Sequence, residues 1–473
     1  VLEQRVLRAL QEQVGVPHVY TRPADLAAYS FDAWGASGER HLPDAVVFPA
    51  VTEEVAGIVA VCAYHDVAVV PRGAGTGYAS GAAPVAGGVV LSLARMNRPI
   101  ALEPDALRIA AEAGTVTQVI HDRAARAGLY YPPDPGSSTT GTIGGNVACN
   151  AAGPHTLRYG VTADYVCGLT AVLADGRTVR LGEGGDGSEP DLLALLCGSE
   201  GTLAVITEVV LRLLPAPAAR TTIAATFSAM QPASGAVAAI AAQGIVPAAI
   251  EFLDAGALDA VRRAGGGTVK VDAGAFVIVE VEGARETVDS EAAAVREALE
   301  RAGATGVETA GDLDEARRLW ATRKAVSAAV AKVMIGKVNE DVVVPRDRIA
   351  ELLARTDEIG RRHELPVVNF GHLGDGNVHA TFLIDPRLPG ERSRADTAAA
   401  ELFDVVLGMD GSLSGEHGVG AAKLPFVERQ IGRGGVELER RIKAALDPRG
   451  ILNPGKKIPP AQPEAPAASR DAA

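Results

Sequence analysis

Two spacings of apolar residues alternate along the first part of the chain. Val6, Leu7 and Leu10 stand at helical spacing within residues 1–15, and Thr52 before Glu53 and Glu54 opens a second helix through about Tyr64. Short β-like runs lie between and after them, at Ala45–Phe48, Val67–Val70, Gly88–Leu93 and Leu107–Glu112, with a helix from about Thr117 to Gly128. Asp175 and Gly176 turn Leu169–Leu173 back into Thr178–Leu181 as a hairpin, and strands follow at Ala204–Ile206 and Val209–Leu214. Pro215 and Pro217 then punctuate the chain and mark the first domain boundary. From about residue 220 the pattern reads strand Thr222–Phe227, helix Ser234–Gln243, strand Ala248–Phe252, a helix, strand Ala275–Val281 and a helix from about Glu286 to Ala302. This alternation predicts a second α/β domain whose sheet is covered on one face. The tail from Pro459, rich in Pro and Ala, is expected to be disordered.

A chain of 473 residues exceeds what one core organises, so two or more domains are expected. Its formal charge of -13 repels a polyanion and argues against nucleic acid as a partner. A single buried Arg can still outweigh that diffuse field for a small anionic substrate. Cys62, Cys149, Cys167 and Cys197 form no C-x-x-C pair, so neither a zinc ribbon nor an iron-sulfur ligand set is expected, and a reduced cytoplasmic state is the simplest reading. No apolar stretch approaches the roughly 18 residues of a membrane span. Association with the inner face of a membrane through a partner stays open.

Three constellations carry chemistry. The first is the loop Pro71, Arg72, Gly73, Ala74, Gly75, Thr76, Gly77, where closely spaced glycines after an apolar strand let backbone N–H groups turn toward one anion. Taken alone, it reads as readily as an ordinary Gly-rich turn. The second joins 132–153 with 198–206, whose glycines, hydroxyls and Asn146 suit either a dinucleotide groove or a surface loop. The third is Asn369–His379 with Ser414–Gly418. His372 and His379 flank a glycine-containing turn, so they can come from adjacent strands and point at one centre. With Glu416 they make a borderline-metal site with open positions for substrate oxygens, leaving His417 free as a base. The plainer alternative is that these imidazoles only satisfy backbone groups.

Read together, Pro71–Gly77, Tyr131–Pro135, Thr142–Gly145, Tyr159–Asp164, Gly198–Thr202, Gly371–His379, Ser414–Gly420 and Leu452–Lys457 resemble, in one order, the FAD-linked oxidase family. That family includes the glycolate oxidase D subunit, cytochrome-linked D-lactate dehydrogenase and D-2-hydroxyglutarate dehydrogenase. The resemblance runs from about residue 15 to 458. It implies an α+β fold of the vanillyl-alcohol-oxidase (PCMH) type, with a FAD-binding domain of two α/β subdomains at 1–217. A C-terminal α/β substrate or cap domain at 218–430 and a segment at 431–458 returning to the FAD domain would follow, ahead of the tail at 459–473.

The implied cofactor contacts are Pro71–Gly77 for the pyrophosphate, then Pro135, Gly136, Ser137, Thr139, Gly141, Thr142, Gly144, Gly145, Asn146, Asn150, Gly201 and Ile206 along the flavin, with Asn453 returning to it. Thr76-Gly77-Tyr78 offers no His, so the FAD is expected to be non-covalent, and Cys149 is read as packing. By the same resemblance His372, His379 and Glu416 bind a divalent metal, zinc or manganese, His417 is the catalytic base, and Arg323 receives the substrate carboxylate. Lys337 and Asn377 are further substrate contacts. The implied reaction oxidises a small D-2-hydroxy acid to a 2-oxo acid, with a quinone, cytochrome or iron-sulfur subunit taking the electrons. A homodimer is compatible with all of this. The alternative is an electron-transfer subunit with no substrate of its own. Two departures from the family pattern bear on the flavin edge: 182–196 lacks a Gly-Tyr-Asp, and Ala151-Ala152 stands where Ala-Gly is commoner.

Overall fold

A computed structural model describes residues 2–34, 40–182, 191–265 and 273–461; the departure noted at 182–196 and the tail from 459 lie partly outside them. The first helix, Gln4–Val14, buries Val6, Leu10 and Val14, one stripe of its surface, in a core shared with the helix Thr52–Tyr64. Val69–Arg72, Val89–Ser92 and Ala45–Val47 run parallel in a four-stranded sheet whose outer strand, Val19–Tyr20, is antiparallel. Successive residues of these strands enter opposite cores, Val89 and Leu91 on one side and Val90 on the other, which is why their runs are apolar without alternation.

A five-stranded antiparallel sheet follows, in the order Pro99–Glu103, Arg108–Glu112, Val205–Arg212, Val166–Val172, Thr178–Gly182. Sequence reading splits its central member in two. It is one strand, because the register shift between Ile206 and Glu208 absorbs the interruption as a bulge. The loop-like stretch 131–153 likewise contains a short helix, Ile143–Cys149, whose Thr142 side chain accepts from Gly145 N.

The second half is a seven-stranded antiparallel sheet, ordered Gly306–Thr309, Ala219–Phe227, Ala275–Gly283, Ala249–Asp254, Val367–His372, Asn377–Ile384, Gly336–Val343. Helices cover it on both faces, not one. Ile250, Phe252, Val277 and Val279 meet the layer of Met230–Ala241, Arg285–Arg301, Ile349–Arg362 and Glu391–Leu407. Leu253, Phe276, Ile278 and Val368 meet Ala255–Arg263 and Leu313–Val333 on the other. The second layer was missed because Leu313–Val333 carries many charges and its buried residues, Leu319, Val326 and Val330, form a thin stripe. The helix Met230–Ala241 starts four residues before its sequence-predicted first residue, with Pro232 tolerated in its first turn.

After the long helix Val427–Leu446, Ile451 and Leu452 enter the core of the first half. Val69 N donates to Ile451 O and Asn453 N to Val69 O, both at 2.8 Å. Among the described residues no helix is long and apolar enough to cross a membrane.

Candidate active site

Strand parity decides what the seven-stranded sheet shows to the first half of the chain. With Ile250 and Phe252, Val378 and Ala380, and Val338 and Val342 turned to one helical layer, Glu251, His379 and the trio Lys337, Asn339 and Asp341 turn the other way. Where the second helical layer stops covering that face, a cleft of about 1400 Å³ opens. Its far wall is the glycine loop of the first half.

Pro71, Arg72, Gly73, Ala74, Gly75, Thr76 and Gly77 line this cleft, with Pro135, Gly136, Ser137, Thr139, Thr142, Gly144, Gly145, Asn146, Gly201 and Ile206. The Arg72 guanidinium is tied to Phe31 O at 2.8 Å and Ala82 O at 3.2 Å. It lies directly under Gly75 (φ 73°), where a Cβ would stand 2.2 Å from Nη2, so only glycine fits. Arg323, Lys337, His372, His379, Glu416 and His417 line the cleft as well.

The structure does not bring four sequence-selected residues to the cleft lining. Asn150 caps its helix in the left-handed region and its Oδ1 accepts from Ala163 N. Gly141 O accepts from Thr117 N, and a Cβ on Gly141 would meet Ser137 Oγ. Asn453 Nδ2 donates to Gly81 O and Glu200 O, so it braces the loops from behind. Asn377 lies under Gly415, and its Nδ2 donates to Asp341 Oδ1 at 2.6 Å.

His372 ends its strand and His379 sits on the neighbouring one, where Phe370 is its register partner, so the two imidazoles are diagonal neighbours. Their rings are 5.4 Å apart, and each Nε2 is 3.5 Å from Glu416 Oε1. On its other side His372 Nδ1 donates to Glu251 Oε1 at 2.5 Å. Glu251 also accepts from Arg323 Nε and Nη2 at 2.8 Å, and the Arg323 guanidinium lies over the Phe370 ring. Burial alone would raise the Glu251 carboxyl, but His372 and Arg323 outweigh it and hold it below its ordinary range. Burial opposes charge on His372 too, yet Glu251 and Glu416 raise it well above the usual imidazole value. His379, buried and beside His417, is depressed to about 3 and is neutral.

His417 stacks between His379, at 5.2 Å, and Tyr78, at 5.1 Å. Lys337 Nζ lies 5.3 Å from the centre of the Tyr78 ring, and burial lowers its pKa. Glu200, from the Gly198–Thr202 motif, reaches across the cleft to the loop after His417 and accepts from Val419 N at 2.9 Å and Gly420 N at 2.7 Å. Cys149 lines the cleft, and burial pushes its thiol up to about 12. Sequence reasoning missed Glu251, Asp341, Glu200 and Tyr78. The signal for the first two was a carboxylate inside a β-like apolar run, which is costly unless partnered.

Residues 216–457 match the family described as FAD linked oxidases, C-terminal domain, and residues 43–182 match an FAD binding domain. The chain belongs to the FAD-linked oxidases. It is 36% identical to the glycolate oxidase subunit GlcD of Bacillus subtilis over 90% of this chain and 91% of that one. It is 37% identical to the subunit of the same name in Escherichia coli (96% and 91%), and 36% identical to a D-lactate dehydrogenase of Archaeoglobus fulgidus (87% and 91%). Among solved structures, p-cresol methylhydroxylase superposes with a TM-score of 0.80 at 20% identity, covering 96% of each chain, and shares the fold.

This FAD-dependent oxidoreductase has a cleft whose residues fit the cofactor. The N–H groups of Ala74, Gly75, Thr76 and Gly77 have no acceptor among the described residues, so a pyrophosphate can take them. The cleft volume exceeds that of a drug-sized pocket. A divalent cation also fits the other end. Ligand-capable atoms of His372, His379 and Glu416 lie within 4.8 Å of one another, and the buried His372 Nε2 has no hydrogen-bond partner.

Proposed function

We propose that the chain oxidises a small 2-hydroxy acid, such as glycolate or D-lactate, to the 2-oxo acid. The observation that carries this reading is the convergence of Arg323, His372, His379, Glu416 and His417 on one end of a cleft whose other side is the glycine loop, with N–H groups at 74–77 that have no acceptor among the described residues. Relatives named glycolate oxidase subunit and D-lactate dehydrogenase support the substrate class. FAD, when bound, supplies the two-electron acceptor for a hydride from Cα. A zinc or manganese ion held by His372, His379 and Glu416 would supply Lewis acidity toward the α-oxygen.

The chain's own residues do the rest. Arg323 is held flat by Glu251 and offers its remaining donors to the carboxylate. His417 accepts the hydroxyl proton, and its stack between Tyr78 and His379 fixes the plane in which it does so. Glu251 accepts the hydrogen bond from His372 Nδ1 and leaves Nε2 as the inward-facing atom, where a proton and a cation compete for one lone pair. Lys337 provides a further cationic contact. The glycine loop carries no His, which supports non-covalent FAD. Reoxidation falls to a quinone, a cytochrome or an iron-sulfur partner, consistent with relatives described as subunits and with free cysteines only.

Anaerobic addition of glycolate, D-lactate, L-lactate and D-2-hydroxyglutarate to the purified yellow protein tests the reading. One of the D-acids or glycolate should bleach the flavin. A yellow protein inert to the whole panel would instead be an electron-transfer subunit, and a protein that stays colourless after addition of FAD would remove the flavin reaction.

A further inference from the structure

Asp341, on the strand Gly336–Val343, has a fully buried carboxylate facing the underside of the turn that carries Glu416 and His417. Its Oδ2 accepts from the successive backbone N–H groups of Gly415, Glu416 and His417 at 2.9, 2.9 and 2.8 Å, and from Ser414 Oγ at 3.3 Å. Its Oδ1 accepts from Asn377 Nδ2 and stands 3.7 Å from His379 Nδ1. Lys423 Nζ lies 3.9 Å away and donates to the Asp341 backbone oxygen. One ring nitrogen of His417 also falls within 4.8 Å of the Asp341 carboxylate, and the buried His417 Nδ1 has no hydrogen-bond partner.

We propose that Asp341 is the positioning residue of the proton-accepting site, fixing His417 and Glu416 through their backbone while it backs the Nδ1 side of His379. This deepens the proposed function and rests on His417 being its base. Successive N–H groups converging on one oxygen form an anion-binding nest, and the bonds are charge-assisted. A neutral side chain in this position keeps the shape and loses most of the grip. The turn has no other acceptor for these N–H groups among the described residues, so it shifts when the carboxylate is lost. A displacement near 1 Å costs about 100-fold in a positioned reaction. Glu251 grips His372 by a direct hydrogen bond to Nδ1, whereas Asp341 faces His379 Nδ1 at 3.7 Å without bonding it and holds the turn instead.

The test uses the full-length flavoprotein and Asp341→Asn, with glycolate or D-lactate as reductant, whichever bleaches the wild type. Flavin content should be unchanged, the limiting anaerobic reduction rate should fall about 100-fold, and the half-saturating concentration should move less than about 3-fold. Affinity for added Mn²⁺, read from the paramagnetic signal of the free ion, should fall about 10-fold. In a His417→Ala background at saturating Mn²⁺ the same substitution should cost less than about 3-fold, because the rest of its effect acts through that residue. A wild-type limiting rate in Asp341→Asn, or full additivity with His417→Ala, overturns the inference. If Asp341→Asn cannot hold flavin, Asn377→Ala decides: a rate at least about 5-fold lower supports the role, and an unchanged rate removes it. His417→Ala with wild-type reduction would sink the base itself, whereas a strongly slowed His417→Ala beside Asp341→Asn at the wild-type rate removes Asp341 alone.

Discussion

Replacing Glu251 by Gln alters one atom of a side chain that is 0% exposed, and the consequences can be followed proton by proton. The carboxylate now accepts from Arg323 on one oxygen and from His372 Nδ1 on the other. Gln has a single oxygen, and Arg has no lone pair to receive an amide NH₂, so the oxygen must stay on Arg323. The NH₂ then faces His372 Nδ1, which can only be its partner if unprotonated, so in the neutral ring that binds a cation the one remaining proton moves to Nε2. That nitrogen points at Glu416 and loses the lone pair a cation needs. Disturbing a ligand's supporting partner in this way costs about 10–100-fold in metal affinity. Arg323 also loses its buried counter-charge, worth about 3 kcal/mol at the low end of measured cases. For a folding unit of this size that lowers the unfolding midpoint by roughly 6–12 °C. Mn²⁺ titration and a thermal melt read the two effects separately. Wild-type Mn²⁺ affinity in Glu251→Gln would refute the tautomer argument, and an unchanged midpoint would refute the counter-charge argument.

Three further outcomes are expected. Glu200→Ala leaves the N–H groups of Val419 and Gly420 without their acceptor, at about 2–4 kcal/mol, and limited proteolysis should open a new site within 414–420; an unaltered digestion pattern would contradict this. Tyr78→Leu removes the ring stacked on His417 and should slow flavin reduction by up to about 10-fold, whereas Tyr78→Phe should keep the wild-type rate, and equal behaviour of the two variants would count against the stack. Burial pushes the Glu340 carboxyl up to about 7, with Lys423 and Arg392 opposing and Asp341 and Asp396 adding to the shift. The folded state holds this proton more tightly than the unfolded chain does. Its stabilising share is therefore complete below the ordinary value of 4.5 and is lost as pH rises to about 7, on the order of 3 kcal/mol in all. Urea midpoints should show that decline in the wild type and lack it in Glu340→Gln; parallel pH profiles would show that Glu340 does not titrate in this range.

The sequence made the first half legible where local chemistry and burial agree. Thr52, Asp175-Gly176 and the apolar runs at 45–48 and 88–93 each lead to the element observed, because each is decided by neighbours within a few residues. The helix Leu313–Val333 was not legible as a sheet cover, since its burial depends on strands distant in the chain, at Leu253, Phe276 and Ile278 on one side and Val368 and Phe370 on the other. In the site, motifs pointed to the residues that line the cleft, such as His372 and Glu416, but not to those that hold them. Glu251, Asp341 and Glu200 act on groups at 372, 415–417 and 419–420, and no spacing rule links such distant positions. Asn377 shows the converse: its place inside a motif suggested ligand contact, while the fold uses it to donate to Asp341.

Strand parity in the second half has a mechanical corollary. Slipping any central strand by one residue would expose valines and phenylalanines to the cleft and bury Glu251, His372 or His379 in grease, a double penalty the chain cannot sustain. The forces that fold the sheet thus also guard its chemistry, and damage to this register should appear as an unfolded protein before it appears as a sluggish one.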